Sequence, residues 1–433
     1  MRFRNFTNVA AILLALTARH VSSSKIRMGL EVLREDNYAQ LSGRKVMILS
    51  NPTGVTVEMD LGVDVIFDSG AVDLVGVMGP EHGFRGAAPA GGSSETFIDP
   101  RTGLTVYDAY NVNLTTLMRF ISESGADTVV FDIQDVGARF YTYIWAMHDT
   151  MIAAALSNAS FIVLDRPNPI TGLNAFGPVL NVNYSSYVGR QPIAQAHGMT
   201  AGELASMFVG EGWIKQAANG SELSLSVVKM KGWERWMAWK DTRLPWIMPS
   251  PNMPTPETAL IYPGTCLFEG TSLSEGRGTS RPFELLGAPF TDDTWSATIR
   301  ALNIAHTAYR PACFSPTTSK FAGNTSCGIQ TYVSASSKRE FETFDPIYLG
   351  VSLLWAAKKL YTAPVDDGNV TASFHWLYSE SSDGGRRYNV DLLSGGPLVR
   401  EGIDAGLSPH ALREKWMGGL GEFRRVRERY LLY

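Results

Sequence analysis

Before residue 170 the chain four times runs a short apolar segment into a cluster of polar, glycine and proline residues. Residues 45–49 (KVMIL) lead into Ser50-Asn51-Pro52-Thr53-Gly54, and residues 74–78 (LVGVM) into Gly79-Pro80-Glu81-His82-Gly83-Phe84-Arg85-Gly86. Residues 128–131 (TVVF) lead into Asp132-Ile133-Gln134-Asp135-Val136-Gly137-Ala138-Arg139, and residues 161–164 (FIVL) into Asp165-Arg166-Pro167-Asn168-Pro169. Unbroken apolar runs of this length are the signature of strands covered on both faces. Between them, residues 114–124 (LTTLMRFISES) and 143–155 place apolar residues at helical spacing. The alternation predicts an α/β fold with a Rossmann-like, doubly wound parallel sheet. In such sheets the loops at the carboxyl ends of the strands converge on one crevice. Glu81, His82 and Arg85, with Gly83 and Gly86 keeping the backbone permissive, make the second loop the centre of that crevice. Ordinary βα turns use the same Asn, Pro, Gly and Asp residues, but four such loops carrying acids, imidazole and guanidinium favour a site.

Further along, residues 26–35 form an amphipathic lead-in and residues 166–200 are loop-rich, ending in His197-Gly198-Met199-Thr200. Thr200 is a helix N-cap for residues 201–209, with Glu203 at the capping-box position. Residues 223–230 (LSLSVVKM) alternate as a strand does. Trp233, Trp236, Trp239 and Trp246 follow; packing is the simpler reading and a sugar-stacking wall the sharper one. Residues 244–289, rich in Pro and Gly yet carrying Asn252, Glu269, Glu275, Arg277 and Glu284, read as irregular backbone joining two lobes and contributing to the cleft between them. Helices are predicted over 296–309 and 347–360, a strand over 328–333, and two closing helices over 408–417 and 421–430. The division is an N-terminal catalytic lobe at 25–264 and a smaller α/β lobe at 265–433.

Length and composition bound the rest. At 433 residues the chain exceeds one typical core. A net charge of −4 and no long Lys/Arg run exclude a nucleic-acid partner. Residues 1–24 read as a signal peptide: Arg2 and Arg4, then an apolar stretch too short to span a bilayer, then Val21-Ser22-Ser23-Ser24. The expectation is a secreted or extracytoplasmic protein with no stable membrane association once the signal is removed. Of three cysteines, Cys313 and Cys327 lie close enough in sequence to close a loop, leaving Cys266 buried and free. Glycosylation patterns stand at Asn113, Asn158, Asn183, Asn219, Asn324 and Asn369.

Residue chemistry narrows the class. No Gly-x-Gly-x-x-Gly or Walker-type loop follows a strand, so no nucleotide cofactor is indicated. Seven histidines without paired spacing argue against a catalytic metal. Gly-x-Ser-x-Gly is absent, which weakens a serine hydrolase. Glu81 beside His82 suits general acid–base work, and Asp132 and Asp135 in the neighbouring loop supply a second carboxyl, the equipment of a glycosidase. Arg85, Arg139, Arg166 and Arg277 suggest an anionic small substrate, or brace the loops by pairing with the aspartates. The residues alone lead to an α/β hydrolytic enzyme with carboxylate chemistry.

The motifs carry a resemblance. Asn51–Gly54 (NPTG), Gly79–Gly86 (GPEHGFRG), Phe131–Tyr143 (FDIQDVGARFYTY), Asp165–Pro169 (DRPNP), Pro249–Pro254 (PSPNMP), Glu269–Thr279 (EGTSLSEGRGT) and the final YLLY resemble the exo-β-N-acetylmuramidase family over roughly residues 26–433. The resemblance implies a Rossmann-like lobe, a smaller C-terminal lobe, a site in the cleft between, and release of N-acetylmuramic acid from the non-reducing end of peptidoglycan fragments. It places the family's catalytic glutamate at Glu81, beside His82; the reading of the residues then makes Glu81 the general acid, His82 the group that tunes or orients it, and Asp132 or Asp135 the base or charge stabiliser. Arg85, Arg139, Asn252 and Arg277 become sugar or lactate contacts, and Asn51, Gln134, Tyr141, Asp165, Arg166, Asn168, His197, Glu269 and Glu275 further substrate contacts. The chain departs from the family at Ala194-Gln195-Ala196, where an arginine is common. Two other readings stay open: a carbohydrate-binding protein of the same fold without activity, and an esterase or amidase using Ser250 or Ser274.

Overall fold

A computed structural model describes residues 26–86, 91–92, 95–362, 373–380 and 385–433. The signal-peptide expectation at 1–24 and the Asn369 pattern lie outside these residues. The four apolar runs are strands β1 (Lys45–Ser50), β2 (Asp73–Gly79), β5 (Thr128–Asp132) and β6 (Ser160–Leu164). With β3 (Phe97–Ile98), β4 (Thr105–Asp108) and β9 (Leu225–Val228) they form a seven-stranded sheet of order β3-β4-β2-β1-β5-β6-β9. All neighbours are parallel except β3 against β4. The chain winds outward from β1 through β2 and β4, then returns to wind the other way through β5, β6 and β9. The switch point therefore lies between β1 and β5, paired from Val46↔Thr128 to Ser50↔Asp132.

Strand alternation sends successive side chains to opposite faces. Val46 and Ile48 join a core with Leu30 and Leu33 of α1 (Gly29–Glu35) and Val63 and Ile66 of α2 (Gly62–Ser69). Met47 and Leu49 join the opposite core, with Phe120 of α3 (Leu114–Ser124), Trp145 of α4 (Tyr143–Leu156) and Phe208 of α5 (Ala201–Gly210). The capping box at Thr200 and Glu203 forms as expected. A short antiparallel pair, β7 (Phe176–Val179) and β8 (Ala194–Ala196), lies outside the main sheet.

The second lobe is built on an antiparallel sheet of order β10-β12-β11, from β10 (Leu285–Ala288), β11 (Thr307–Phe314) and β12 (Ser326–Val333). The disulfide Cys313–Cys327 joins β11 to β12, and Cys266 is buried and free. One apolar core runs without a break from the parallel sheet into this lobe, so the two pack as a continuous body. Where helix Pro256–Thr265 crosses helix Pro346–Tyr361, a Cβ on Gly264 would stand 1.9 Å from the carbonyl oxygen of Pro346. Only glycine permits that backbone contact.

Three local expectations are corrected. The helix expected over 296–309 is Thr294–Ala301, and β11 begins at Thr307; left-handed backbone at Asn303 and His306 breaks the helix between them. The two closing helices are one, Pro409–Arg427, because its buried stripe Leu412-Trp416-Leu420-Phe423 continues through Gly418, Gly419 and Gly421. The segment 244–289 is not wholly irregular: it contains helix Pro256–Thr265, with proline in its first turn, and β10. Trp233 and Trp239 are buried with Ile26, Met28 and Leu244, so the packing reading of that pair holds.

Candidate active site

Glu81 follows β2 directly, at the break made by Gly79-Pro80. The next residue, His82, is buried and held at φ +71°, a conformation uncommon outside glycine that surrounding structure must impose. Its N–H donates to the Gly92 carbonyl at 3.0 Å. The turn leaves Glu81 half-buried, facing the N-terminus of α4. There the Thr142 hydroxyl donates to one carboxylate oxygen at 2.7 Å, and the Gly91 N–H to the other at 2.9 Å. Tyr110 stands on the remaining side: burial first, then the charge of Glu81, push its hydroxyl up.

The loops after β1 and β5 are tied across the switch point. Asn51 accepts from the N–H and hydroxyl of Thr53, at 2.9 and 2.6 Å, and the Thr53 oxygen accepts from the Gln134 N–H at 2.9 Å. Gln134 donates to the carbonyls of Asp135 and Pro167, both at 2.7 Å. Asp135 accepts from the Gly137 N–H at 2.7 Å and faces His197 Nε2 at 3.4 Å with the same oxygen. His197 Nδ1 accepts from the Met199 N–H, which leaves the proton to Nε2, an atom with no hydrogen-bond partner among the described residues. Gly137 takes φ +81° beneath this loop, where a Cβ would also strike Asn168 Oδ1 at 2.6 Å.

Four buried side-chain atoms on these loops have no hydrogen-bond partner among the described residues: Asn51 Nδ2, Gln134 Oε1, Asp135 Oδ1 and Tyr141 OH. Buried polar groups are ordinarily paired. A cluster of unpaired donors and acceptors beside Glu81 is suited to a hydroxyl- and amide-rich ligand. Tyr141 also packs edge-on against Tyr143 and Tyr262, the latter from helix Pro256–Thr265. The Tyr143 hydroxyl donates to the Pro249 carbonyl, which ties the 249–254 loop, with half-buried Asn252, to the start of α4.

Other expected site residues are committed elsewhere. Asp132 forms an ion pair with Arg166 at 2.6 Å, both side chains 3% exposed, and Arg166 also donates to the Val55 carbonyl. Asp132 therefore braces the carboxyl end of the central strands, and of the two expected aspartates only Asp135 keeps a buried carboxylate oxygen unpaired among the described residues. Arg139 is fully enclosed and donates to the carbonyls of Pro178, Ile193 and Leu393 at 2.9, 3.0 and 2.8 Å. It joins β7 and β8 to the second lobe and does not face the cleft; burial lowers its pKa to about 9. Arg85 is held by Asp99 and Asp64 at 2.8 and 3.2 Å. Asp165 accepts from Thr200, Tyr433 and the Gly202 N–H, and burial raises its pKa to about 6. Asn168 bridges Met199 and Ile170. Arg277 is paired with Glu269 and, at 3.4 Å, with Glu275, which Lys320 also holds. It stacks on Phe283, whose ring meets Tyr262.

Thr142, Tyr143, Tyr110 and Tyr187 were not singled out from the sequence. The first two lie inside the quoted Phe131–Tyr143 motif, so only their roles were hidden; the others lie in segments without a motif. No group of three or more His, Cys, Asp or Glu among the described residues is arranged to hold a metal ion.

The family described as "Exo-beta-N-acetylmuramidase NamZ, N-terminal" matches residues 46–257, and its C-terminal counterpart residues 260–433. A peptidoglycan beta-N-acetylmuramidase, NamZ, of Bacillus subtilis (strain 168) is 39% identical over 410 residues, 94% of this chain and 92% of that protein. Two crystal structures of DUF1343 family proteins from Bacteroides fragilis share the fold. One has a TM-score of 0.80 at 31% identity and the other 0.70 at 29%, each match covering 95% of this chain and 99% of the other.

Proposed function

The chain belongs to the exo-beta-N-acetylmuramidase NamZ family and is a glycosidase of peptidoglycan; from that premise we propose that it releases N-acetylmuramic acid from the non-reducing end of peptidoglycan fragments, with Glu81 as the general acid. The observation that carries the reading is the placement of Glu81 against four unpartnered buried polar atoms on the adjoining loops. A sugar ring laid on Asn51, Gln134 and Tyr141 brings its glycosidic oxygen to the half-exposed Glu81 carboxyl. That group gives its proton to the leaving oxygen as the bond to the anomeric carbon breaks. Positive charge then develops at the ring. Asp135, held by the Gly137 N–H and 3.4 Å from His197 Nε2, is the carboxylate that meets it, and a water adding to the anomeric carbon, its proton passing back to Glu81, completes the hydrolysis. Thr142 fixes the rotamer of Glu81, so the acid is in place before substrate arrives.

Chromogenic β-N-acetylmuramide and β-N-acetylglucosaminide, offered to wild type, Glu81→Gln and Asp135→Asn, test this. Muramide cleavage lost in both variants supports the assignment. Near-wild-type turnover by Glu81→Gln removes the acid role, and cleavage of neither sugar by folded wild type favours a binding protein.

Export is part of the same proposal. The Cys313–Cys327 disulfide suits an oxidising compartment, and Asn113, Asn158, Asn183, Asn219 and Asn324 are all exposed. Recovery of the protein from the medium of its own cells, with a mass lowered by N-glycosidase, tests both points; an intracellular, unmodified protein refutes them.

A further inference from the structure

Between the start of helix Pro256–Thr265, residues 281–284 and the end of β12, the second lobe carries a groove of about 530 Å³ that the catalytic reading leaves unused. Strand alternation builds its sheet wall. Leu286 and Ile329 turn into the core, while Arg310, Gln330 and Tyr332 turn to the opposite face. Arg310 stands directly across from Gln330, and Tyr332 across from Ala308. With only a methyl opposite it, Tyr332 is 41% exposed.

Arg310 is exposed as well. Its Nε donates to Gln330 Oε1 at 2.9 Å and to the Tyr332 hydroxyl at 3.0 Å. Among the described residues it forms no ion pair, and its two terminal nitrogens make no hydrogen bond. Arg85, Arg166 and Arg277, by contrast, are each held by carboxylates. The groove's other guanidinium, Arg281, faces buried Glu284 at 3.4 Å, and Glu284 also accepts from the Thr258 hydroxyl at 2.6 Å. On the helix side, exposed Glu257 stands in the first turn. A guanidinium fixed through Nε, with its outer nitrogens unpaired, is set to take a carboxylate. An open tyrosine ring takes the apolar face of a sugar, and a free carboxylate accepts from sugar hydroxyls.

The groove adjoins the candidate site through side-chain contacts. Ile261 lines it, and the next residue, Tyr262, packs on Tyr141 with ring centres 5.8 Å apart. Glu284 lines it, and the preceding residue, Phe283, meets Tyr262 at 4.7 Å. Tyr262 and Phe283 thus link Tyr141 to the groove wall.

We propose that this groove is a second saccharide site, which holds a carboxylate-bearing glycan chain on the C-terminal lobe, with a carboxylate on Arg310, a ring on Tyr332 and hydroxyls on Glu257. The choice of a peptidoglycan glycan as that chain rests on the muramidase reading. An exo-acting enzyme gains from such a site because a second point of attachment raises the effective concentration of the polymer.

The test reads binding without turnover. Peptide-free chains of alternating N-acetylglucosamine and N-acetylmuramic acid, ending in N-acetylglucosamine at the non-reducing end, give an exo-muramidase no terminus to cut. Calorimetry compares them with the same chains carrying methyl-esterified lactyl groups, for wild type, Arg310→Gln, Arg310→Lys and Tyr332→Ala. Wild type is expected to bind the free acids roughly 10-fold more tightly than the esters. Arg310→Gln loses that preference, and Arg310→Lys, which keeps the charge without the fork, keeps part of it. Tyr332→Ala weakens both chains by roughly 3- to 10-fold. A wild type that binds neither chain, or binds acid and ester alike, overturns the proposal whatever the variants do. So does a preference that Arg310→Gln retains. A free stem peptide that binds where the glycan does not assigns the groove to peptides and overturns the saccharide claim. Chromogenic muramide left uncut by folded wild type removes the muramidase reading alone, because the binding ratios are measured without catalysis.

Discussion

Tyr433 offers a change whose cost depends on pH in a direction the structure fixes. Its hydroxyl donates to Asp165 Oδ2 at 2.7 Å and accepts from the Met230 N–H at 2.9 Å. Its ring packs edge-on against Trp233. Tyr433→Phe keeps the ring contact and removes one oxygen. At pH 8 that oxygen is a donor to a buried carboxylate, worth about 1.5–3 kcal/mol, and its loss also strands the Met230 N–H. The expected destabilisation is about 3 kcal/mol.

Asp165 makes this cost fall in acid. Burial raises its folded pKa to about 6, above its ordinary value of 3.8. Its contribution to stability is therefore fully present below the unfolded pKa and is lost as pH rises through 6. Removing a donor to the charged form raises the folded value further, so the variant loses more than wild type above pH 6 and about the same below it. The penalty at pH 8 should exceed that at pH 5 by about 1–2 kcal/mol, each pKa unit being worth roughly 1.4 kcal/mol. Urea unfolding followed by tryptophan fluorescence is the assay, because a chain of this length shifts its Tm by only about 1 °C per kcal/mol. Equal penalties at the two pH values, or none, would refute the coupling of Tyr433 to an ionising Asp165.

Three further outcomes follow from single contacts. Gly264→Ala places a methyl 1.9 Å from the Pro346 carbonyl oxygen; the helices must part, at a cost of about 3 kcal/mol or more, read as a lower urea midpoint. Replacing both Cys313 and Cys327 by serine opens a bridge spanning 14 residues and should cost about 3 kcal/mol, with muramidase activity kept at low temperature. Thr142→Val frees Glu81 to leave its rotamer, so kcat should fall about tenfold with KM little changed and Thr142→Ser should restore it; a change in KM alone would assign Thr142 to binding.

The parallel sheet was legible because its strands are covered on both faces and so appear as unbroken apolar runs. Which core each residue meets, Val46 and Ile48 one and Met47 and Leu49 the other, is visible only in the structure, because an unbroken apolar run carries no alternation. The C-terminal lobe was harder to read. The final helix was divided because Gly418, Gly419 and Gly421 weaken local helical preference, and tertiary packing of Leu420 and Phe423 overrode it. Helix Thr294–Ala301 was overextended because the left-handed residues ending it, Asn303 and His306, have no obligatory sequence mark.

The candidate site divides along a similar line. Residue type announced a cluster of acids and arginines at the strand ends, but type does not encode a partner. Arg139 gives its two terminal nitrogens to carbonyls from residues 178, 193 and 393, and every residue offers a carbonyl, so no pattern marks the acceptors. Arg85 and Arg166 find aspartates 14 and 34 positions away. Strong pairing is what removes these groups from substrate binding: a guanidinium already balanced by a buried carboxylate gains little from a second one, and breaking the pair strands a charge. The groups left to meet a sugar are the weakly used ones, among them Asn51 Nδ2, Gln134 Oε1, the free oxygen of Asp135 and the half-exposed carboxyl of Glu81. That division lets scaffold and chemistry share one set of loops, with the scaffold pairs holding the loop backbone while the unpaired atoms wait for the ligand.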